Sequence, residues 1–169
     1  MKLQKIISGG QTGVDLAALH AASYLGIPTG GLAPKGWVNE DGRQEELMRS
    51  FGMVECAESG YPARTKQNIL AADATLIFIP DASIDHERGT RLTFELCKEL
   101  KRPCRLITDC SKRENDREGY FPLGLLFVHA FIKSEKVKTL NIAGPRESRW
   151  RGCQGLVFDW LVRVFEGLK

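Results

Sequence analysis

The chain predicts an α/β fold built on a mostly parallel sheet. Three observations carry the prediction. Residues 5–15, KIISGGQTGVD, read as a short buried strand, a glycine turn and the start of a helix. Residues 74–80, ATLIFIP, are almost wholly apolar, as a strand covered on both faces requires. Strand-like and helical periods then alternate to the end of the chain, which places helices between successive parallel strands. The 169 residues suit one domain, residues 1–169, and can bury a core without disulfide or metal staples.

The first unit organises the rest. Lys5 to Ser8 end the strand, and Gly9, Gly10, Gln11, Thr12 and Gly13 make the turn. From Val14 the period is helical, through Leu16, Ala17, Leu19, Ala21, Ala22 and Leu25. The turn leaves the first helical N–H groups without partners inside the helix, at the positive end of its dipole. Such a place suits an anion, most often a phosphate. A second reading is local: the glycines make a tight turn, and Thr12 with Asp15 forms a capping box. Asp15 would repel an anion that came too close. A P-loop requires Lys and then Ser or Thr after its last glycine, and Val14-Asp15 stand there instead. A dinucleotide site requires other glycine spacing and an acid after the second strand, where this chain has Lys35. The residues therefore disfavour NAD and favour a ligand rich in phosphate or oxyanions.

The second strand is expected near 29–33, with Gly30-Gly31 marking close backbone approach. Pro34, Lys35, Gly36 and Trp37 make a loop, Asn39 to Gly42 a polar turn, 43–51 a short helix and 53–57 an edge strand. Gly60-Tyr61-Pro62 breaks the chain before a helix over 63–72, where Arg64 and Asn68 share a face. That face is either solvated or turned into a cleft. Asp81, Asp85, His86 and Glu87 crowd the loop after the apolar strand, but nothing fixes metal geometry there and no metal is expected. Gly89-Thr90 opens a helix over 91–101, with Leu92, Leu96 and Leu100 toward the core. A strand follows at 104–108, a charged surface excursion at 111–119 and an apolar helix over 121–134. The last strand is 139–143, TLNIA, and the last helix 151–168. His20 and His129 lie on apolar helices and read as packed or capping. The loop Gly144, Pro145, Arg146, Glu147, Ser148 reads as a helix opening capped by Ser148.

In a parallel sheet the carboxyl ends of the strands share one edge, and ligands bind there. Gly9–Gly13, Pro34–Gly36, the turn at Gly89-Thr90 and Gly144–Ser148 should therefore gather. Their glycines expose amides, Thr12, Thr90, Thr93 and Ser148 bring hydroxyls, and Lys35, Arg64 and Arg146 bring positive charge. Capping and local bonding are the plainer roles for the hydroxyls. Together the turns predict a pocket for a phosphorylated small molecule.

Net charge is +3, which does not argue for nucleic acid or membrane. No apolar run reaches the roughly 18 residues of a membrane span, and the N-terminus lacks the apolar stretch of a signal peptide, so a cytoplasmic location is expected. The five cysteines show no C-x-x-C pair and read as free thiols.

SGGQTGVDLAAL, APKG, YPARTKQN with AADATLIF, RGTRLT and TLNIAGPRES occur in that order. The set resembles the molybdenum-cofactor carrier family, a Rossmann-like branch related to the lysine-decarboxylase-like phosphoribohydrolases. The resemblance spans roughly residues 5 to 150, nearly the whole of a single domain. It implies a Rossmann-like three-layer sandwich, homo-oligomeric assembly, and binding of molybdenum cofactor (molybdopterin) or another phosphate-bearing small molecule. Molybdenum would arrive on its pterin dithiolene, so the protein need supply no metal ligand. The expected binding residues are Gly9 to Gly13, Lys35, Gly36, Arg64, Asn68, Gly89, Thr90, Thr93 and Gly144 to Ser148. The hydrolase branch carries Pro-Gly-Gly-x-Gly-Thr-x-x-Glu. Here His86-Glu87-Arg88 precede Gly89-Thr90 and no Pro-Gly-Gly is present, and Thr93 stands in place of the glutamate. A binding protein is thus the first expectation. A phosphoribohydrolase-type nucleotide-processing enzyme, using Asp15 or Glu147 as its carboxylate, is the alternative.

Overall fold

Lys5–Ser8 (β1), Thr29–Gly30 (β2), Ala74–Phe78 (β7), Cys104–Ile107 (β8) and Thr139–Ala143 (β9) build one sheet in the order β2-β1-β9-β7-β8. Every pair in it is parallel. The computed structural model describes residues 3–80, 88–108 and 120–168, without the side chains of 120–123. The loop acids at 81–87, the charged stretch at 111–119 and Cys110 lie outside those residues.

The last strand in sequence is the middle strand in space. On β9, Leu140 and Ile142 face one side of the sheet with Ile6, Leu76 and Phe78. Val14–Tyr24 (α1), Tyr120–Ser134 (α5) and Cys153–Glu166 (α6) cover that side, with Trp160, Val164 and Phe165 buried. Small residues on α1, among them Ala17, Ala18, Ala21 and Ala22, let α6 lie close against it. Tyr61–Ala71 (α3) and Arg88–Glu99 (α4) cover the other side, where Ile69, Ile77 and Cys97 form a smaller core. This is the expected α/β sandwich. Among the described residues, no helix is long and apolar enough to cross a membrane.

Several element boundaries differ from expectation. The second strand breaks at Gly31, where φ is 120° and a Cβ would stand 2.2 Å from the Ser8 carbonyl oxygen. Beyond the break, Leu32–Ala33 (β3) leaves the main sheet and pairs with Val54–Glu55 (β6). Val38–Asn39 (β4) and Gly42–Arg43 (β5) close a hairpin around Glu40-Asp41, followed by Glu45–Ser50 (α2). Pro62 lies in the first turn of α3, where a missing N–H costs nothing. Gly89 and Thr90 lie inside α4. Its most buried side chains are Thr90, Thr93 and Cys97, with Leu96 and Leu100 only partly buried. His129 Nε2 donates to the Val164 carbonyl, 2.9 Å away, and His20 packs edge-on against Phe51.

Candidate functional site

The Gly9–Gly13 turn and the Gly144–Ser148 loop meet, although 131 residues separate Gly13 from Gly144 in sequence. A Cβ at Gly13 would lie 2.6 Å from both the Glu147 nitrogen and the Pro145 oxygen. With φ at 74°, that position suits glycine alone. Val14 N–H donates to the Pro145 carbonyl at 3.2 Å, and Gly13 N–H donates to Gln154 Oε1 at 3.2 Å. The first amides of α1 are thus largely spent on protein acceptors.

The expected caps are arranged differently. Gly13, not Thr12, is the N-cap of α1, and no side chain caps it. Asp15 Oδ2 accepts the Gln11 N–H at 3.2 Å, so half of the capping box survives. Ser148 does not cap α6. Glu147 does: its carboxylate accepts the N–H groups of Gly152 and Gln154 and the Cys153 thiol. Burial pushes the Glu147 carboxyl up, but these donors outweigh it and hold the group below its ordinary range.

Arg64 and Asn68 turn inward, as one of the two readings had it, yet both are occupied with the fold. Arg64 is 4% exposed. Its Nη1 donates to the Gly9 carbonyl at 2.6 Å and its guanidinium lies 4.6 Å over the Tyr61 ring. Its Nε, although buried, has no hydrogen-bond partner among the described residues. Asn68 Oδ1 accepts the Leu32 N–H at 2.8 Å, and its amide donates to the Ser8 and Leu32 carbonyls, tying the split second strand to β1. Asp15 lies buried beside Arg64. Burial raises its pKa more than Arg64 lowers it. Thr93 Oγ1 donates to the Gly89 carbonyl of its own helix. Lys35 and Gly36 follow β3 away from the main sheet. Lys35 is exposed, and Gly36 N–H donates to Glu55. These two do not join the others.

A cavity of about 580 Å³ does form at the carboxyl edge of the sheet. Tyr61 and Pro62 bound it from α3, and Arg88, Gly89, Thr90 and Leu92 from α4. Gly144, Pro145, Arg146 and Arg149 close it from the loop after β9. At Gly89 the fit is tight, since a Cβ would stand 3.1 Å from the Tyr61 hydroxyl and the ring would have to give slightly. Arg88 and Arg149 form no ion pair among the described residues. Three guanidinium groups over glycine-lined backbone can bind phosphate or another oxyanion. No group of His, Cys, Asp and Glu among the described residues is arranged to hold a metal.

The model of the circularly permutated YpsA SLOG family matches residues 6–165. The chain belongs to that family. Its structure is also similar to the crystal structure of a protein from Syntrophus aciditrophicus titled "Putative molybdenum carrier protein", at 35% identity and TM-score 0.81, covering 97% of this chain and 95% of that one. An (E)-4-hydroxy-3-methyl-but-2-enyl diphosphate reductase aligns at 13% identity and TM-score 0.33, over 98% of this chain and 58% of that one, too weakly to carry an argument. No curated protein matches the chain. The resemblance read from GGQTGVD and TLNIAGPRES therefore holds at the level of family and fold.

Within this family member, sequence reading missed Glu40, Arg88, Arg149 and Tyr61. Arg88 and Arg149 each stand beside a turn that was singled out, and turn-flanking arginines were the available signal. Glu40 had only the Asp41-Gly42 hairpin signal. Nothing local ties it to Thr12 and Ser148, which lie 28 and 108 residues away.

Proposed function

We propose that the protein binds a phosphate- or oxyanion-bearing small molecule in the arginine-lined cavity, as a carrier of molybdenum cofactor or a related pterin or nucleotide-like ligand. The observation that carries this reading is the convergence of Arg88, Arg146 and Arg149 on one cavity, two of them without an ion pair among the described residues. Its volume of about 580 Å³ falls in the range of small-molecule sites. The residues fit a cargo that brings its own metal: guanidinium groups suit the phosphate and oxo groups, and Tyr61 adds an aromatic side chain to the lining. The printed name of the Syntrophus aciditrophicus protein supports the cargo class.

Calorimetry with molybdenum cofactor, molybdate, AMP and inorganic phosphate tests the reading. An Arg88→Ala/Arg149→Ala double variant should bind at least about tenfold more weakly, since each charge-assisted contact contributes on the order of 1–3 kcal/mol. Heat from none of the four ligands would end the proposal. The enzyme alternative has less support, because no carboxylate lines the cavity among the described residues. Incubation with nucleoside monophosphates and chromatography for released base decides between the two. We also propose self-association, through the apolar surface of α5. Leu126 and Phe127 there are 62% and 73% exposed. Sedimentation velocity should show a larger species that Phe127→Glu dissociates.

A further inference from the structure

The two joined turns bring together a set of donors that is already in use. Thr12 Oγ1 donates to Glu40 Oε2, and Ser148 Oγ to Glu40 Oε1. The Ser148 backbone N–H lies 3.4 Å from Oε2, and Arg146 Nη1 lies 3.8 Å from Oε1. Two hydroxyls, an amide and a guanidinium therefore converge on one carboxylate, which arrives on a separate hairpin. Thr12 is 4% exposed, and its oxygen accepts the Glu147 N–H at 3.3 Å. That bond leaves the Thr12 hydroxyl proton pointing at the carboxylate. The donors are oriented for an oxyanion before one arrives.

We propose that Thr12, Ser148 and Arg146 form an anion subsite for a phosphate or other tetrahedral oxyanion of the ligand, and that Glu40 is its internal occupant, displaced on binding. This deepens the cavity reading and rests on it. Arg146 joins the two places, since it lines the cavity and also faces Glu40. At 3.8 Å its contact with Glu40 is longer than a hydrogen bond, so the guanidinium is not committed. A phosphate brings about 1.5–2 negative charges and three acceptor oxygens, against one charge on Glu40. It outcompetes the carboxylate for a four-donor set, whereas a monoanion does not. The subsite would therefore select for dianions.

The hairpin can release its tip. It holds only two residue pairs, Val38–Arg43 and Asn39–Gly42, and so short a ribbon is marginal by itself. Within the tip, Asp41 N–H donates to Asn39 Oδ1 at 2.9 Å and its carbonyl accepts from Gln44 Nε2 at 3.1 Å, and neither bond involves the Glu40 side chain; the buried anchors lie before it. Trp37 is 3% exposed, and Asn39 Nδ2 donates to the Gly10 carbonyl at 3.4 Å. Glu40 can swing outward while Trp37 and Asn39 stay in place.

Calorimetric titration of wild type, Glu40→Ala, Glu40→Gln and the Arg88→Ala/Arg149→Ala variant with inorganic phosphate and AMP tests this. Glu40→Ala should bind roughly tenfold tighter than wild type, with Glu40→Gln between them, since a competing charged partner is removed. Amide hydrogen exchange over residues 40–42 of the wild type should speed up at saturating phosphate. Equal or weaker binding by Glu40→Ala, or unchanged exchange, overturns the displacement. The cavity reading then still stands, provided wild type binds and the double arginine variant does not. Binding by no variant overturns both. If circular dichroism shows Glu40→Ala misfolded, Glu40→Gln and the wild-type exchange experiment decide.

Discussion

At the residue scale, the carboxylates that meet at the joined turns, Glu147, Glu40 and Asp15, do not share one fate. Glu147 and Glu40 accept several hydrogen bonds each. Burial pushes both up, and the donors outweigh it, leaving both below their ordinary 4.5. A carboxyl depressed by folding contributes stability that is complete above its unfolded pKa and lost as pH falls through its folded one. Acid unfolding should therefore draw on Glu147 below about pH 4.5. Glu147→Gln should cost about 1 kcal/mol at neutral pH, as loss of a helix cap does, and should flatten the acid limb of the melting curve. Asp15 has the opposite sign. Burial raises it above 3.8, so its contribution is full below that value and declines as pH rises through its folded pKa. The melting temperature of Asp15→Asn minus that of wild type should accordingly increase from acid toward neutral pH. Of the thiols, Cys104 is half-buried and receives a hydrogen bond from Cys97, which pulls it down to about 7 against the effect of burial. Among the described cysteines it should alkylate fastest near neutral pH, and Cys97→Ala should slow it.

At the element scale, the glycine turn after β1 acts first as a seat for the loop after β9. Its anion-binding potential is mostly taken by Pro145, Gln154 and Asp15. Gly13→Ala would force a Cβ at positive φ to within 2.6 Å of backbone atoms, and backbone cannot turn aside as a side chain can. The variant should lose more than about 1 kcal/mol in denaturant unfolding and should weaken phosphate binding as well. Gly144→Ala meets side-chain rather than backbone atoms. There the φ is not positive, but the added Cβ would stand 2.7–2.9 Å from Cγ2, Cβ and Cγ1 of buried Val14, so the start of α1 must give way. The α3 helix shows how a polar face acts in a buried place. Arg64 and Asn68 serve the carbonyls at the end of β1 and the break after Gly30, backbone groups that would otherwise lack partners.

At the scale of the whole molecule, the insertion of β9 between β1 and β7 decides where the site lies. It puts the last loop beside the first turn, and α6 against α1. Trp160 lies in the core so formed, 2% exposed and edge-on to Phe78 at 5.4 Å. Trp160→Ala should cost about 3–5 kcal/mol in equilibrium unfolding, and a smaller loss would mean the helical layer repacks.

The α/β class and the approximate place of each main-sheet strand were legible in the chain, because apolar runs, glycine turns and helical periods are local signals. The break at Gly31 was half legible: the paired glycines announced close approach, but not that β3 would leave the sheet and carry Lys35 away. Which polar residues line the cavity was legible in part, at Thr90 and Arg146, but not at Arg88 or Arg149. Local chemistry nominated Thr12, Arg64, Thr93, Glu147 and Ser148 equally. Only the folded chain spends Arg64 on Gly9, Thr93 on its own helix, Glu147 on α6, and Thr12 with Ser148 on Glu40. A hydrogen-bonding group takes whatever partner the tertiary arrangement puts within about 3 Å, and residues far apart in sequence carry no local mark of that pairing.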